Sequence, residues 1–268
     1  MQPLKVTIIQ TDLYWQNKKA NLQMLEEKIK RISQRTELVI LPEMFSTGFS
    51  MKTHELAEAM NGETVEWMKR IASEEKIIIT GSVIIKEENN FYNRLIWMLP
   101  NGEYGIYDKR HLFGFGKEDE HYSSGNKRLI AQAKGWKINL QVCYDLRFPV
   151  WSRQAPSLLE RAGGEVEFDL LIYVANWPER RSHAWKTLLT ARAIENQSYV
   201  VGVNRVGKDG NDIYHSGNSM IIDPLGEVLY HKADDEDVFT ITLNKEHLQK
   251  VRQQFPFLKD ADGFIINN

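Results

Sequence analysis

Apolar positions along the chain follow two rhythms. Short unbroken runs mark buried strands, and spacings of three and four mark helices that bury one face. Val6 to Gln10 is a run of the first kind and predicts an opening strand. Asn17 can then cap a helix, because Leu22, Leu25, Ile29 and Ile32 recur three, four and three apart. Leu38 to Leu41 predicts a second short strand, and Thr64 to Glu75 a helix with Val65, Met68 and Ile71 turned inward. Ile77 to Ile85 is β-rich, and Arg94 to Leu99 and Tyr104 to Tyr107 flank Pro100-Asn101-Gly102 as a hairpin. Lys137 to Val142 is a strand that delivers the chain to Cys143. Leu170 to Ala175 is a buried strand, Ser182 to Gln197 a helix, and Tyr199 to Asn204 a strand. A second hairpin joins Ser219–Asp223 to Glu227–Tyr230 through Pro224-Leu225-Gly226. Val238 to Leu243 is a late strand, and Asn244 caps a last helix over Lys245 to Gln254.

Strands and helices alternate, which predicts an α/β fold with helices outside. The two hairpins argue against a purely parallel sheet or a (β/α)8 barrel. A two-sheet sandwich covered by helices fits better. With no repeat, low-complexity segment or linker, residues 1–268 read as a single domain.

Composition narrows the partners. A net charge of −2 argues against nucleic acid, whose phosphates want a basic surface. No apolar stretch approaches the roughly 18 residues of a membrane span. The apolar run within Met1 to Gln10 is too short for a signal segment, so the cytoplasm is the expected location. A single cysteine excludes an intrachain disulfide and suits a reducing compartment.

That cysteine is the first candidate for chemistry. Cys143 follows a strand in Val-Cys-Tyr-Asp-Leu-Arg-Phe-Pro, where α/β folds expose reactive groups. A thiol there becomes a nucleophile if a cation or helix N-terminus lowers its pKa; the commoner role of a lone cysteine is buried packing. Glu43 ends the apolar run Leu38-Val39-Ile40-Leu41-Pro42, where a carboxylate is costly unless paired or functional. A salt-bridged loop glutamate is the alternative. Lys109, in Tyr107-Asp108-Lys109-Arg110-His111-Leu112, is either a solvated turn residue or a buried cation that stabilises an oxyanion. No His or Cys spacing fits zinc, and neither a glycine-rich phosphate loop nor a Gly-x-Ser-x-Gly elbow occurs.

Three segments together resemble the nitrilase (carbon–nitrogen hydrolase) superfamily, in the expected order. They are Leu41-Pro42-Glu43-Met44-Phe45, Tyr107 to Leu112, and Val142-Cys143-Tyr144-Asp145-Leu146-Arg147-Phe148-Pro149, with Glu43, Lys109 and Cys143 separated by 66 and 34 residues. Glu43 to Met51 and Ala175-Asn176-Trp177-Pro178-Glu179-Arg180-Arg181 are similar to the omega-amidase branch, which resembles 2-oxoglutaramate amidases. Val150 stands where many superfamily members carry a glutamate, and an apolar residue there is normal for that branch.

The resemblance implies a four-layer αββα sandwich of two mixed sheets, usually at least a homodimer. It implies a small-molecule amide substrate and no metal or organic cofactor. Glu43 is then the general base, Cys143 the nucleophile, and Lys109 with the backbone N–H of Tyr144 the oxyanion site. The family's further glutamate maps to Glu118, with Glu120 as the fallback. The keto acid carboxylate of such a substrate needs a cation, and Arg147, Arg180 and Arg181 are candidates. Phe115, Tyr144 and Trp177 are candidate aromatic walls, and Asn176 a further substrate contact.

Overall fold

The computed structural model describes residues 2–154 and 168–262. In the first sheet, β1 (Leu4–Gln10), β2 (Leu38–Ile40) and β3 (Ile78–Glu87) run parallel. The antiparallel strands β4 (Asn90–Met98) and β5 (Tyr104–Asp108) extend it on one side. The second sheet is built on parallel β7 (Trp136–Val142), β8 (Leu170–Ala175) and β9 (Tyr199–Asn204), with β6 (Ile130–Ala133) antiparallel at its edge. Beyond β9 lie β10 (Val206–Lys208), β11 (Tyr214–Ile222) and β12 (Val228–Ala233). The chain then returns to the first sheet, where β13 (Asp237–Leu243) pairs antiparallel with β1.

Period-two alternation decides which side chains meet. Leu38, Ile40, Leu95 and Trp97 face the second sheet and pack with Ile138, Leu140, Val142 and Ile172. Val39, Leu41, Ile96 and Met98 point the other way, under α1 (Lys18–Lys30) and α3 (Glu63–Glu75). Each such side chain contributes about 1.5–3 kcal/mol by leaving water. On the far side, α5 (Ser182–Asn196) lays Trp185, Leu189 and Ala193 on β9 and β11. The layers are therefore helix, sheet, sheet, helix, as the sequence predicts.

Helix ends follow the predicted chemistry. The Asn17 side chain accepts from Ala20 N at 3.1 Å, and Asn244 caps α6 (Lys245–Gln254) by accepting from Glu246 N at 2.9 Å. Helix α1 stops at Lys30, so Ile32 packs from beyond it. Short helices α2 (Thr53–Leu56) and α4 (Pro149–Ser152) complete the described elements, with several one-turn 3-10 segments. No helix among the described residues is long and apolar enough to cross a membrane. Parallel strands β2, β7 and β8 end beside one another, and the residues that leave them are Glu43, Cys143 and Asn176.

Candidate active site

Four predicted residues meet in one buried cluster. Lys109 Nζ donates to Glu43 Oε1 at 2.9 Å, and to Glu118 Oε1 at 3.0 Å and Oε2 at 2.8 Å. Glu43 and Glu118 are 0% exposed and Lys109 1%. The Cys143 thiol sits against Glu43 and Lys109, and only 9% of the residue is exposed. Glu120, by contrast, lies on the surface with its carboxylate 3.8 Å from Lys117 Nζ. The structure thus brings Glu118, not Glu120, to Lys109.

Glu43, Lys109 and Cys143 follow the ends of β2, β5 and β7, and Glu118 opens a 3-10 turn after β5. Cys143 follows β7 with φ 46°, and Met44 follows Glu43 with φ 44°. Both are left-handed conformations that side-chain-bearing residues rarely hold without support. Asp145 supplies that support at Cys143. Its buried carboxylate accepts from Val142 N at 3.0 Å and Tyr107 OH at 2.7 Å, and from His111 N at 2.9 Å. This ties the turn holding Cys143 to the segment holding Lys109. At Met44 the backbone N–H is held by Ser82 Oγ at 2.8 Å.

Electrostatics set the resting protonation. Burial pushes the Cys143 thiol well above the ordinary range, and Glu43 adds to this more than Lys109 offsets it. The shift favours the protonated thiol, opposite to the lowered pKa that a neighbouring cation alone implies. Burial pulls Lys109 down, but Glu118 and Glu43 outweigh it and hold the ammonium well above the usual lysine value. Burial also raises Glu118, helped by Glu43 and opposed by Lys109. A buried cation between two carboxylates is costly to assemble, and such clusters mark functional sites more often than stabilising ones.

Above the cluster opens a cavity of about 580 Å3. Cys143, Glu43, Lys109, Tyr144 and Asn176 form part of its lining. Trp177 is a buried wall, whereas Phe115 is 80% exposed and stands at the rim. Arg147 lies over the Trp177 ring at 5.0 Å and Arg181 over the Phe113 ring at 4.9 Å. Among the described residues no carboxylate pairs with Arg147, Arg180 or Arg181, although all three line the cavity. Burial and then Arg180 lower the pKa of Arg181, with Arg147 contributing. Three crowded guanidiniums without a counter-ion among the described residues suit an anionic ligand.

Asn176 lines the cavity, as expected of a substrate contact, and also touches Glu43. Its backbone N–H donates to Glu43 Oε2 at 2.8 Å and its Nδ2 to the Glu43 carbonyl at 2.5 Å. It therefore fixes Glu43 as well as lining the cavity. Asn93 and Asp145 are the residues that sequence reasoning missed. Asn93 Nδ2 donates to Glu43 Oε1 at 2.8 Å and Glu118 Oε1 at 3.0 Å. Asp145 was visible inside the Cys143 segment, but nothing in the sequence signalled its partners. Among the described residues, no group of three His, Cys, Asp or Glu side chains is arranged to hold a metal ion.

The geometry agrees with comparisons to known proteins. The carbon-nitrogen hydrolase family profile matches residues 5–253. Omega-amidase YafV of Escherichia coli is 42% identical over 268 residues, covering 98% of this chain and 99% of that one. The 2-oxoglutaramate amidase of Bacillus subtilis is 30% identical over 258 residues, covering 95% and 96%. The crystal structure of a CN-hydrolase superfamily protein from Xanthomonas campestris, with an arsenic adduct in its active site, superposes with TM-score 0.96 at 42% identity over all of both chains. With family profile, full-length relatives and fold in agreement, the chain belongs to the carbon–nitrogen hydrolase family.

Proposed function

We propose that the protein is an omega-amidase, which hydrolyses the terminal amide of a small 2-oxo dicarboxylic acid monoamide through a thioester on Cys143. One observation carries the choice of substrate class: the arginines in the wall of the nucleophile's cavity that have no carboxylate partner among the described residues. The likeness to omega-amidase YafV and to a 2-oxoglutaramate amidase supports the same choice.

In this reading the thiol gives its proton to Glu43 as Sγ attacks the amide carbon. The oxyanion is held by Lys109 and by the backbone N–H of Tyr144. At rest all three Lys109 donor bonds go to carboxylates. One becomes available because Glu43 loses its charge on taking the thiol proton, which weakens its hold on Lys109. Glu43 then passes the proton to the departing nitrogen, and ammonia leaves. Water next gives a proton to Glu43 and adds to the thioester, and collapse expels the thiolate, which recovers its proton. The sum is amide plus water to acid plus ammonia. Glu118 keeps Lys109 charged and placed throughout. Arg147 and Arg181 take the substrate's carboxylate end, and Phe115 and Trp177 flank its carbon chain.

The chain works as one cytoplasmic domain and pairs as a homodimer. Exposed Ile194 and Leu225, which flank Gly226, offer an apolar surface for such pairing. An ammonia-release assay on 2-oxoglutaramate, glutamine, asparagine and an aliphatic nitrile tests the substrate. The keto acid amide is expected to exceed the others by at least about 100-fold in kcat/KM. Equal or faster turnover of the nitrile or of glutamine would overturn the reading.

A further inference from the structure

Asn93 lies in the interior of β4, fully buried, where an apolar side chain would pack at less cost. Both N–H groups of its carboxamide go to carboxylates, one to Glu43 and one to Glu118. Its carbonyl Oδ1 has no hydrogen-bond partner among the described residues. Its backbone carbonyl accepts from Lys109 N at 3.0 Å. One residue therefore holds Lys109 by its main chain and both carboxylates that surround the Lys109 ammonium. A purely structural amide buried here would pair its oxygen as well as its nitrogen. This one leaves the oxygen unpaired and keeps the two donors.

We propose that Asn93 is a positioning residue of the hydrolytic machinery, holding Glu43 and Glu118 in place while Lys109 turns from Glu43 to the oxyanion. The inference rests on the reading of Glu43, Lys109 and Cys143 given above. Glu43 Oε1 accepts from both Lys109 and Asn93, and Oε2 from Asn176 N. When Glu43 takes the thiol proton, its attraction for the Lys109 cation drops. The neutral donors of Asn93 and Asn176 still hold the acid in place for its second transfer, to the leaving nitrogen. A neutral amide suits this position. A cation would keep Glu43 ionised, and a third carboxylate would repel the two already there. The charged and titratable groups around Asn93 are Glu43 after β2, Lys109 after β5 and Glu118. Cys143 after β7 and Tyr122 stand next to these three.

The test is kcat/KM against pH for wild type, Asn93→Ala and Asn93→Asp, on protein whose melting shows it folded. Asn93→Ala is expected to lose about 10- to 100-fold, the weight of hydrogen bonds to charged groups. Its acid limb moves to higher pH, because the lost donor favoured the ionised carboxylates. Asn93→Asp retains activity at the acid end and loses it as pH rises and the new carboxylate ionises. Its basic limb therefore falls below that of wild type. A merely structural residue would lower amplitude without reshaping either profile, and wild-type shapes in both variants would overturn the proposal. If Asn93→Asp does not fold, the Asn93→Ala profile decides alone. Cys143→Ala, assayed alongside, separates the two ideas. Activity in Cys143→Ala defeats the catalytic reading itself; an inactive Cys143→Ala with wild-type Asn93 profiles defeats only the role of Asn93.

Discussion

Burial and the Glu43 carboxylate both push the Cys143 thiol upward, against the weaker pull of Lys109. A resting thiol needs a base at the moment of attack, and Glu43 stands beside it with three protein donors already on its carboxylate. The protonation state has a direct readout in the rate of iodoacetamide labelling of Cys143. Because the thiolate is disfavoured in the folded protein, labelling should climb with pH without a plateau between about pH 6 and 8. A plateau there would mean a stable thiolate and would contradict the raised pKa. At this scale the sequence revealed the candidate groups but not their setting. Cys143, Glu43 and Lys109 occupy segments whose order is distinctive. Asn93 lies in Phe91-Tyr92-Asn93-Arg94, just before the segment that reads as the first strand of a hairpin. Its burial depends on carboxylates that the fold brings from elsewhere in the chain.

Elements were legible where burial and period agreed. The strands Leu170–Ala175 and Tyr199–Asn204 match their apolar runs residue for residue. Two edge strands, β6 and β10, were not legible. β6 is half-exposed and follows Lys127-Arg128, and β10 has three residues of which only Val206 is buried. β4 begins at Asn90, before the expected Arg94, because residues 90–93 pair with β3 back to Glu87, and Arg94 within it is buried with its guanidinium on Asp108 at 2.7 Å and 2.9 Å. Partners rather than hydropathy carry that part of the strand. Gly202 in β9 shows a different constraint. A Cβ there would lie 2.5 Å from Leu189 Cδ1 and 2.8 Å from Trp185 Cζ2, so the glycine sets how closely α5 approaches the sheet. Alanine gains about 0.4–1 kcal/mol from a less flexible unfolded chain. Overpacking costs about 1–3 kcal/mol and wins. Gly202→Ala should therefore lower the midpoint of urea unfolding, and an unchanged midpoint would show that α5 has room to shift.

Over the whole molecule, two sheets present the carboxyl ends of their parallel strands to one cavity, and that convergence makes the site. Glu43 comes from the first sheet, Cys143 and Asn176 from the second, and the contacts between Glu43 and Asn176 cross the sandwich. The two-sheet architecture could be anticipated from hairpins mixed among alternating strands and helices. Which face would carry positive charge could not, because the net charge is only −2 and Arg147 meets Arg180 and Arg181 only after folding. Their convergence beside a resting thiol gives the account its central claim, amide hydrolysis of an anionic substrate through Cys143. Ammonia release from 2-oxoglutaramate by Cys143→Ala, on protein that melts like wild type, tests it most directly. The account predicts a loss of at least about 10^4-fold, since Cys143 is the one cysteine of the chain and the acyl intermediate is its thioester. Activity within tenfold of wild type would contradict it.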